Sequence, residues 1–221
     1  MTAPPSPRLI NLSRRAVLKG SGALVLGLTL PPLLAGEAAA ALGVNSLVAV
    51  TAYLKISATG VSVVSPASEI GQGVFTAFAQ LVAEELDVDW QTVRAEMAPY
   101  DAAYANPILG GMRSGGATSI RAWFLPMRQA GAAARLMLRA AAAQVWRVPA
   151  ESLVIATGLI SHPPSGREAS YGALAQVAAR QKLPVDPPLR DSGRWTLIGR
   201  SLPRLDIPDK VAGRAVFGMD V

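Results

Sequence analysis

The chain has 221 residues, 51% hydrophobic and 16% charged, with 20 Gly, 17 Pro, no Cys and a single His, His162. It is long enough for one substantial core, but it lacks the ligands for disulfides, thiolate or imidazole metal sites and protein-held iron–sulfur clusters, so any metal must arrive inside a cofactor with its own ligands. Half of the formal charge of +6 sits in residues 1–40, where Arg8, Arg14, Arg15 and Lys19 face Glu37, and no basic stripe interleaved with aromatics follows, which argues against nucleic-acid binding.

The first element in chain order is an address. Ser13-Arg14-Arg15-Ala16-Val17-Leu18-Lys19 precedes an apolar run over residues 23–34, and small residues follow at 36–40. A charged start, a short apolar middle and an A-x-A end describe an export signal, and the paired arginines are of the twin-arginine type. Val17 stands where that signal usually carries Phe. The apolar run is shorter than the ~20 residues of a membrane span, and Pro31-Pro32 interrupt it. Export to the periplasm is expected, with membrane association as a variant of it. Residues 1–40 are thus assigned as a twin-arginine signal peptide, 41–183 as an α/β domain and 184–221 as an extended Pro-rich linker opening a further α/β domain.

Within the middle segment the pattern is α/β (α+β), a mixed sheet with packed helices. Strands are predicted over residues 50–56 and 61–65 around the turn Ala58-Thr59-Gly60. A helix over 74–86 follows from apolar positions Val74, Phe78, Leu81, Val82 and Leu86. Residues 93–98 are a short strand and 99–116 an irregular segment ending in Gly-Gly-Met-Arg-Ser-Gly-Gly. The longest helix runs from Ala117 or Thr118 to about Trp146, with Ile120, Phe124, Met127, Leu138 and Val145 on its apolar face and many alanines supporting it. Pro126 is expected to kink or split it. Residues 153–161 form a hairpin around Thr157-Gly158, and Ser170 caps a helix over 171–181. The final residues, 209–221, begin a strand-like pattern that stops, as though more polypeptide followed.

Two places share one local grammar, a glycine-rich turn leading into a helix. One is Gly71-Gln72-Gly73; the other is Ser114-Gly115-Gly116 before Thr118. The first N–H groups of a helix lack intrahelical partners, so two such turns in one unit can face a single anionic ligand. Neither is a Walker A loop or a G-x-G-x-x-G, and ordinary strand-to-helix turns explain them equally well. Glu84 and Glu85 are adjacent and are expected on a solvated helix face. His162 is expected in a turn, with no Asp or Ser placed to orient it.

The stretches "SEIGQGVFTAFAQLVAEELDVDW", "DAAYANP", "GGATSIRAWFLPMRQAGAAAR" and "LIGRSLPRLDIPDKVAGRAVFGMDV", in that order, resemble the molybdopterin-binding large subunit of the xanthine dehydrogenase and aldehyde oxidase family. The likeness runs from about Leu47 onward and is nearest to the isoquinoline 1-oxidoreductase beta-chain type. It implies that Gly71, Gln72 and Gly73 lie against a molybdopterin cytosine dinucleotide with Gln72 near the metal centre, and that Ser114, Gly115, Gly116 and Thr118 cradle its pterin or phosphates. Ile70 stands where the family commonly has Met.

The resemblance also implies an oxidoreductase acting on aldehydes or N-heterocycles. Its partners would be a [2Fe–2S] small subunit, the remaining large-subunit domains and a membrane cytochrome. The family's Gly-x-Gly-Glu-type motif, which carries its general base, is absent here, as is its Phe-Gly-Gly loop; no catalytic or metal-ligating residue is expected in this chain. Competing expectations are a non-catalytic cofactor-binding domain and a structural domain that docks on a complete paralogue.

Overall fold

A computed structural model describes residues 24–28, 51–57 and 60–220. Its main sheet has strands β1 (Leu24–Leu28), β2 (Thr51–Ser57), β3 (Gly60–Ser65) and β4 (Val93–Met97), in that order across the sheet. β1–β2 and β2–β3 pair antiparallel, while β3–β4 pair parallel. A parallel pair needs a crossover, and helix α1 (Val74–Leu86) supplies it. Gly60 is required at the β2–β3 turn: its φ is +142°, and a Cβ there would stand 2.3 Å from the Thr92 carbonyl oxygen. The paired arginines of the export motif lie outside the described residues. Part of the apolar run behind them, Leu24–Leu28, forms the edge strand β1 against β2.

Helix α2 (Thr118–Trp146) is continuous through Pro126, so of the expected kink or split the split does not occur. Pro126 is buried, and packing against the sheet and α1 holds the helix together across the missing N–H. The alanine run does more than favour helix. Ala130, Ala132, Ala133 and Ala134 are buried, and a Cβ on Gly131 would stand 2.5 Å from the Val82 carbonyl oxygen, so small residues let α2 lie directly on the α1 backbone. Of the predicted apolar face, Met127 and Leu138 are buried and Phe124 partly so, whereas Ile120 and Val145 are 38% and 52% exposed. Tyr53 of β2 packs edge-on to Tyr104 at 5.7 Å and against Trp123 of α2 at 5.5 Å, fastening residues 99–116 to the core. No helix among the described residues is long and apolar enough to cross a membrane.

Beyond α2 lies a small antiparallel sheet of β5 (Val154–Ala156), β6 (Leu159–His162) and β7 (Arg167–Ser170). Its first turn holds Thr157 and Gly158 at φ +50° and +82°, as a primed hairpin turn requires; the third strand is an addition to the predicted hairpin. The Ser170 hydroxyl accepts the Ala173 N–H at 3.3 Å and opens α3 (Tyr171–Ala178), a turn shorter than expected. After that the chain is an irregular arm up to α4 (Ile207–Val211). The strand expected from residue 209 onward is absent: Pro208 and Asp209 in a first turn favour helix, and a 3-10 turn at Gly218–Asp220 follows.

Candidate functional site

The first glycine turn is held from within. The Glu69 carboxylate accepts the N–H groups of Gly71 (2.9 Å), Gly73 (2.9 Å) and Phe75 (3.1 Å), so it stands where a bound anion would stand at the start of α1. Gly71 and Gly73 have φ of +104° and +81°, a region that L side chains avoid, with nothing within 4 Å of where a Cβ would be. Conformation demands these glycines, and the space beside them is open. Gln72 is exposed and closes the turn: its Oε1 accepts the Ile70 N–H at 2.7 Å and its Nε2 donates to the Ser68 carbonyl at 2.8 Å.

The second turn is built around buried Asn106. Its Oδ1 accepts the N–H groups of Ile108 and Leu109 at 2.9 and 3.2 Å, and its Nδ2 donates to the Thr118 hydroxyl at 3.0 Å. That hydroxyl donates in turn to the Gly115 carbonyl at 2.8 Å. α2 then begins from Ala117, at φ +53°, with no side-chain cap on its first N–H groups. Gly115 and Gly116 are exposed; a Cβ on Gly115 would meet nothing within 4 Å, and one on Gly116 only the Thr118 methyl at 3.7 Å. The exposed cations Arg113 and Arg121 flank this start and have no ion-pair partner among the described residues.

The two turns meet. The Ser68 N–H donates to the Ser114 hydroxyl at 2.8 Å, so both helix starts open at one place. Seven residues singled out from sequence, Gly71, Gln72, Gly73, Ser114, Gly115, Gly116 and Thr118, therefore lie on two adjoining loops. Glu69, Asn106, Arg113, Arg121 and Arg204 were missed. An acidic residue just ahead of a helix start is a legible signal for Glu69; nothing local marks Arg204, which arrives from the arm. Arg204 donates to the Gly71 carbonyl at 2.9 Å and to Glu69 at 3.2 Å, while the Leu205 N–H donates to the Thr76 hydroxyl at 3.0 Å. The hydrogen bonds from Arg204 and Lys210 hold Asp206 well below the usual carboxylate range.

Glu84 and Glu85 overturn the expectation of a solvated face: they are 1% and 0% exposed. Glu84 accepts the N–H groups of Thr196, Leu197 and Ile198 at 2.9, 2.6 and 3.0 Å and pairs with Arg190 at 3.1 Å. Glu85 accepts from Arg128 Nε and from the Arg190 N–H, both at 2.8 Å. Burial alone disfavours the Glu84 anion, but those N–H groups and Arg190 outweigh it and hold its pKa below the ordinary value. The close α1–α2 approach buries this side of α1, and the arm supplies the donors. His162 is the buried last residue of β6, and its Nδ1 lies 2.6 Å from the Ser165 hydroxyl, so the orienting serine thought absent is present three residues on, in a structural turn.

The residues at the start of α2 fit an anionic cofactor group: its first N–H groups have no side-chain cap, the space beside two glycines is open, and the exposed Arg113 and Arg121 flank it in sequence. The start of α1 offers open space and the Gln72 amide, but its N–H groups are already taken by Glu69. Among the described residues no cluster of His, Asp and Glu could hold a bare metal ion.

A mixed α/β sheet brings the two glycine loops to one place. The particular family is given by sequence: over residues 19–215 the chain matches the molybdopterin cofactor-binding domain, and it belongs to that family. The family resemblance read from the sequence is thereby borne out. The chain is 34% identical over 99% of its length to the beta chain of isoquinoline 1-oxidoreductase from Brevundimonas diminuta, covering 33% of that protein. It is 33% identical over 69% of its length to a nicotinate dehydrogenase subunit of Pseudomonas putida, covering 12% of it. A membrane-bound aldehyde dehydrogenase (pyrroloquinoline-quinone) of Gluconacetobacter polyoxogenes is 30% identical over 69% of the chain and is covered to 20%. The chain spans a third or less of the length of these curated relatives.

Proposed function

We propose that the chain is the N-terminal part of the large subunit of an exported molybdenum hydroxylase, and that it holds one side of a molybdopterin cytosine dinucleotide. The observation that carries this is the Ser68–Ser114 hydrogen bond, which joins the two glycine loops beside the uncapped start of α2. Ser114, Gly115, Gly116 and Thr118 would take the phosphate or pterin edge, because the first N–H groups of α2 carry no side-chain cap and the Ser114 hydroxyl, which accepts from Ser68, still has a proton to donate. Gly71 and Gly73 would admit the ligand closely, and the Gln72 amide would face the metal centre. When bound, the group supplies the redox chemistry for oxidising an aldehyde or a C–H beside a ring nitrogen. This chain's own part is to bind, orient and cover it, while further large-subunit domains, a [2Fe–2S] subunit and a membrane cytochrome complete electron transfer. Relatives named for isoquinoline and nicotinate support the heterocycle class.

The test is cofactor content of the enzyme assembled with its further domains and iron–sulfur subunit. Gly116→Val places a β-branched side chain at φ +56° on the cradle and should cut molybdenum by tenfold or more. Equal molybdenum in the variant and parent would overturn the loop assignment. Quinone in place of molybdenum would move the protein toward the aldehyde dehydrogenase reading that one relative's name carries, and loading without substrate-dependent dye reduction would favour a non-catalytic binding domain. For export, changing Arg14 and Arg15 together to Lys should keep the protein in the cytoplasm, because a guanidinium pair and not charge alone is read; unchanged periplasmic delivery would remove the twin-arginine assignment.

A further inference from the structure

Far from the glycine loops, α2 and the arm form an open cavity of about 500 Å³ lined by Arg135, Leu136, Arg139, Pro188, Arg190 and Arg194. At ~1.5 Å per residue, Arg135 lies about 25 Å along α2 from Thr118, so this cavity and the loops are separate places. Arg135 and Arg139, one helical turn apart, make no ion pair or side-chain hydrogen bond among the described residues, and Arg139 Nε is buried without any acceptor. The nearby carboxylates are already engaged. Glu85 is held by Arg128, and Glu84 and Asp87 are paired with Arg190. Arg194, at the rim, pairs with Asp191 and is largely exposed. Burial and the neighbouring Arg190 and Arg139 charges press the Arg135 guanidinium toward a lower pKa, opposed in part by Glu85. Guanidinium side chains gathered on one cavity, two of them without a carboxylate partner among the described residues, call for an anion.

We propose that this cavity is a binding site for a small phosphoryl anion of two or more negative charges, held by Arg135, Arg139 and Arg190. Guanidinium groups suit this ligand because their planar donors grip tetrahedral oxyanions in pairs, and two unpaired cations call for two negative charges. A bound phosphoryl group would accept from the terminal guanidinium N–H groups of Arg135 and Arg139. It would also bridge α2 to the arm, so occupancy would tighten the arm on the domain.

Thermal unfolding of the purified protein at low ionic strength tests this, with diphosphate added against chloride of equal ionic strength. Diphosphate at ~100 times its Kd should raise Tm by about 5 °C or more. The Arg135→Gln/Arg139→Gln protein should lose that rise, and without anion it should be at least as stable as the parent, since like charges have been removed. Citrate, which carries about the same charge as diphosphate at neutral pH, should act more weakly; an equal effect would overturn the phosphoryl assignment. An equal rise in parent and variant would mean only general salting and overturn the site. Should the variant fail to fold, ³¹P line broadening on the parent decides: saturable 1:1 binding supports the site, and non-saturable broadening overturns it.

Discussion

α1 and α2 each start from a glycine turn, the two turns touch, and yet the helix ends are in opposite electrostatic states. The start of α1 is filled by the protein's own carboxylate, Glu69, which Arg204 braces from the arm. The start of α2 has no side-chain cap and stands among unpaired cations. α1 is also fastened at its far end, where Glu84 and Glu85 collect donors from residues 190–198. A division of labour follows: α1 is the fixed wall, stitched at both ends to the arm, and α2 presents the receptive end. Glycine turns of equal appearance do different work according to whether a side chain reaches their N–H groups first.

The largest break in that arrangement should come from Glu84→Ala. Removing one member of a buried, paired network leaves three N–H groups without their acceptor and Arg190 with Asp87 as its one remaining carboxylate, at a cost of about 3–5 kcal/mol; denaturant unfolding of parent and variant measures it. A loss below about 1 kcal/mol would mean that the arm is not anchored there. The same group sets an acid limit. Its folded pKa lies below the ordinary 4.5, so its contribution is complete at neutral pH, declines as pH falls below about 4.5 and is gone below the folded value. Asp206 acts in the same sense. Glu84→Ala should therefore flatten the acid limb of stability against pH.

Gly73→Val should come next. A β-branched residue at φ +81° is strained by about 1–3 kcal/mol, whatever the open space beside it. The comparison is sharpened by running Gly115→Val alongside, because Gly115 has no positive φ and no neighbour within 4 Å. That variant should cost little stability and act only on cofactor loading. Equal destabilisation by both would erase the distinction between a position that needs glycine for conformation and one that needs it for access.

Glu69→Ala should cost about 1–2 kcal/mol, the scale of a lost helix cap. It should also make α1 resemble α2, leaving the N–H groups of Gly71, Gly73 and Phe75 open. Added sulfate should then restore part of the loss in the variant and leave the parent nearly unchanged. An unaltered sulfate response would show that the carboxylate is not acting as an anion in place.

Much of the fold was legible because its signals are local. The period of α1, the pairing of β2 with β3, the Thr157-Gly158 turn and the Ser170 cap each depend on a few consecutive residues. The glycine loops were legible for the same reason. What escaped depends on partners distant in sequence. Glu84 and Glu85 look solvated until an arm more than a hundred residues away covers them. Pro126 looks like a break until burial holds the helix across it. Ile120 and Val145 fit an apolar stripe but fall beyond the width that α1 and the sheet cover.

The smallest effect on stability belongs to the residue with the sharpest proposed role. Gln72 makes two hydrogen bonds, to the Ile70 N–H and the Ser68 carbonyl, but it is exposed, so water can replace both when the side chain is cut back. Gln72→Ala should thus change unfolding stability by no more than about 0.5 kcal/mol, well below Glu69→Ala on the same turn. If the amide faces the metal centre in the assembled enzyme, the same substitution should leave molybdenum content near that of the parent while slowing turnover. Glycine substitutions on the cradle should instead lose the metal. These two patterns separate orienting a cofactor from holding it. Paired stability and loading measurements check them, and a Gln72→Ala protein that lost its metal along with its activity would place the amide among the holding groups.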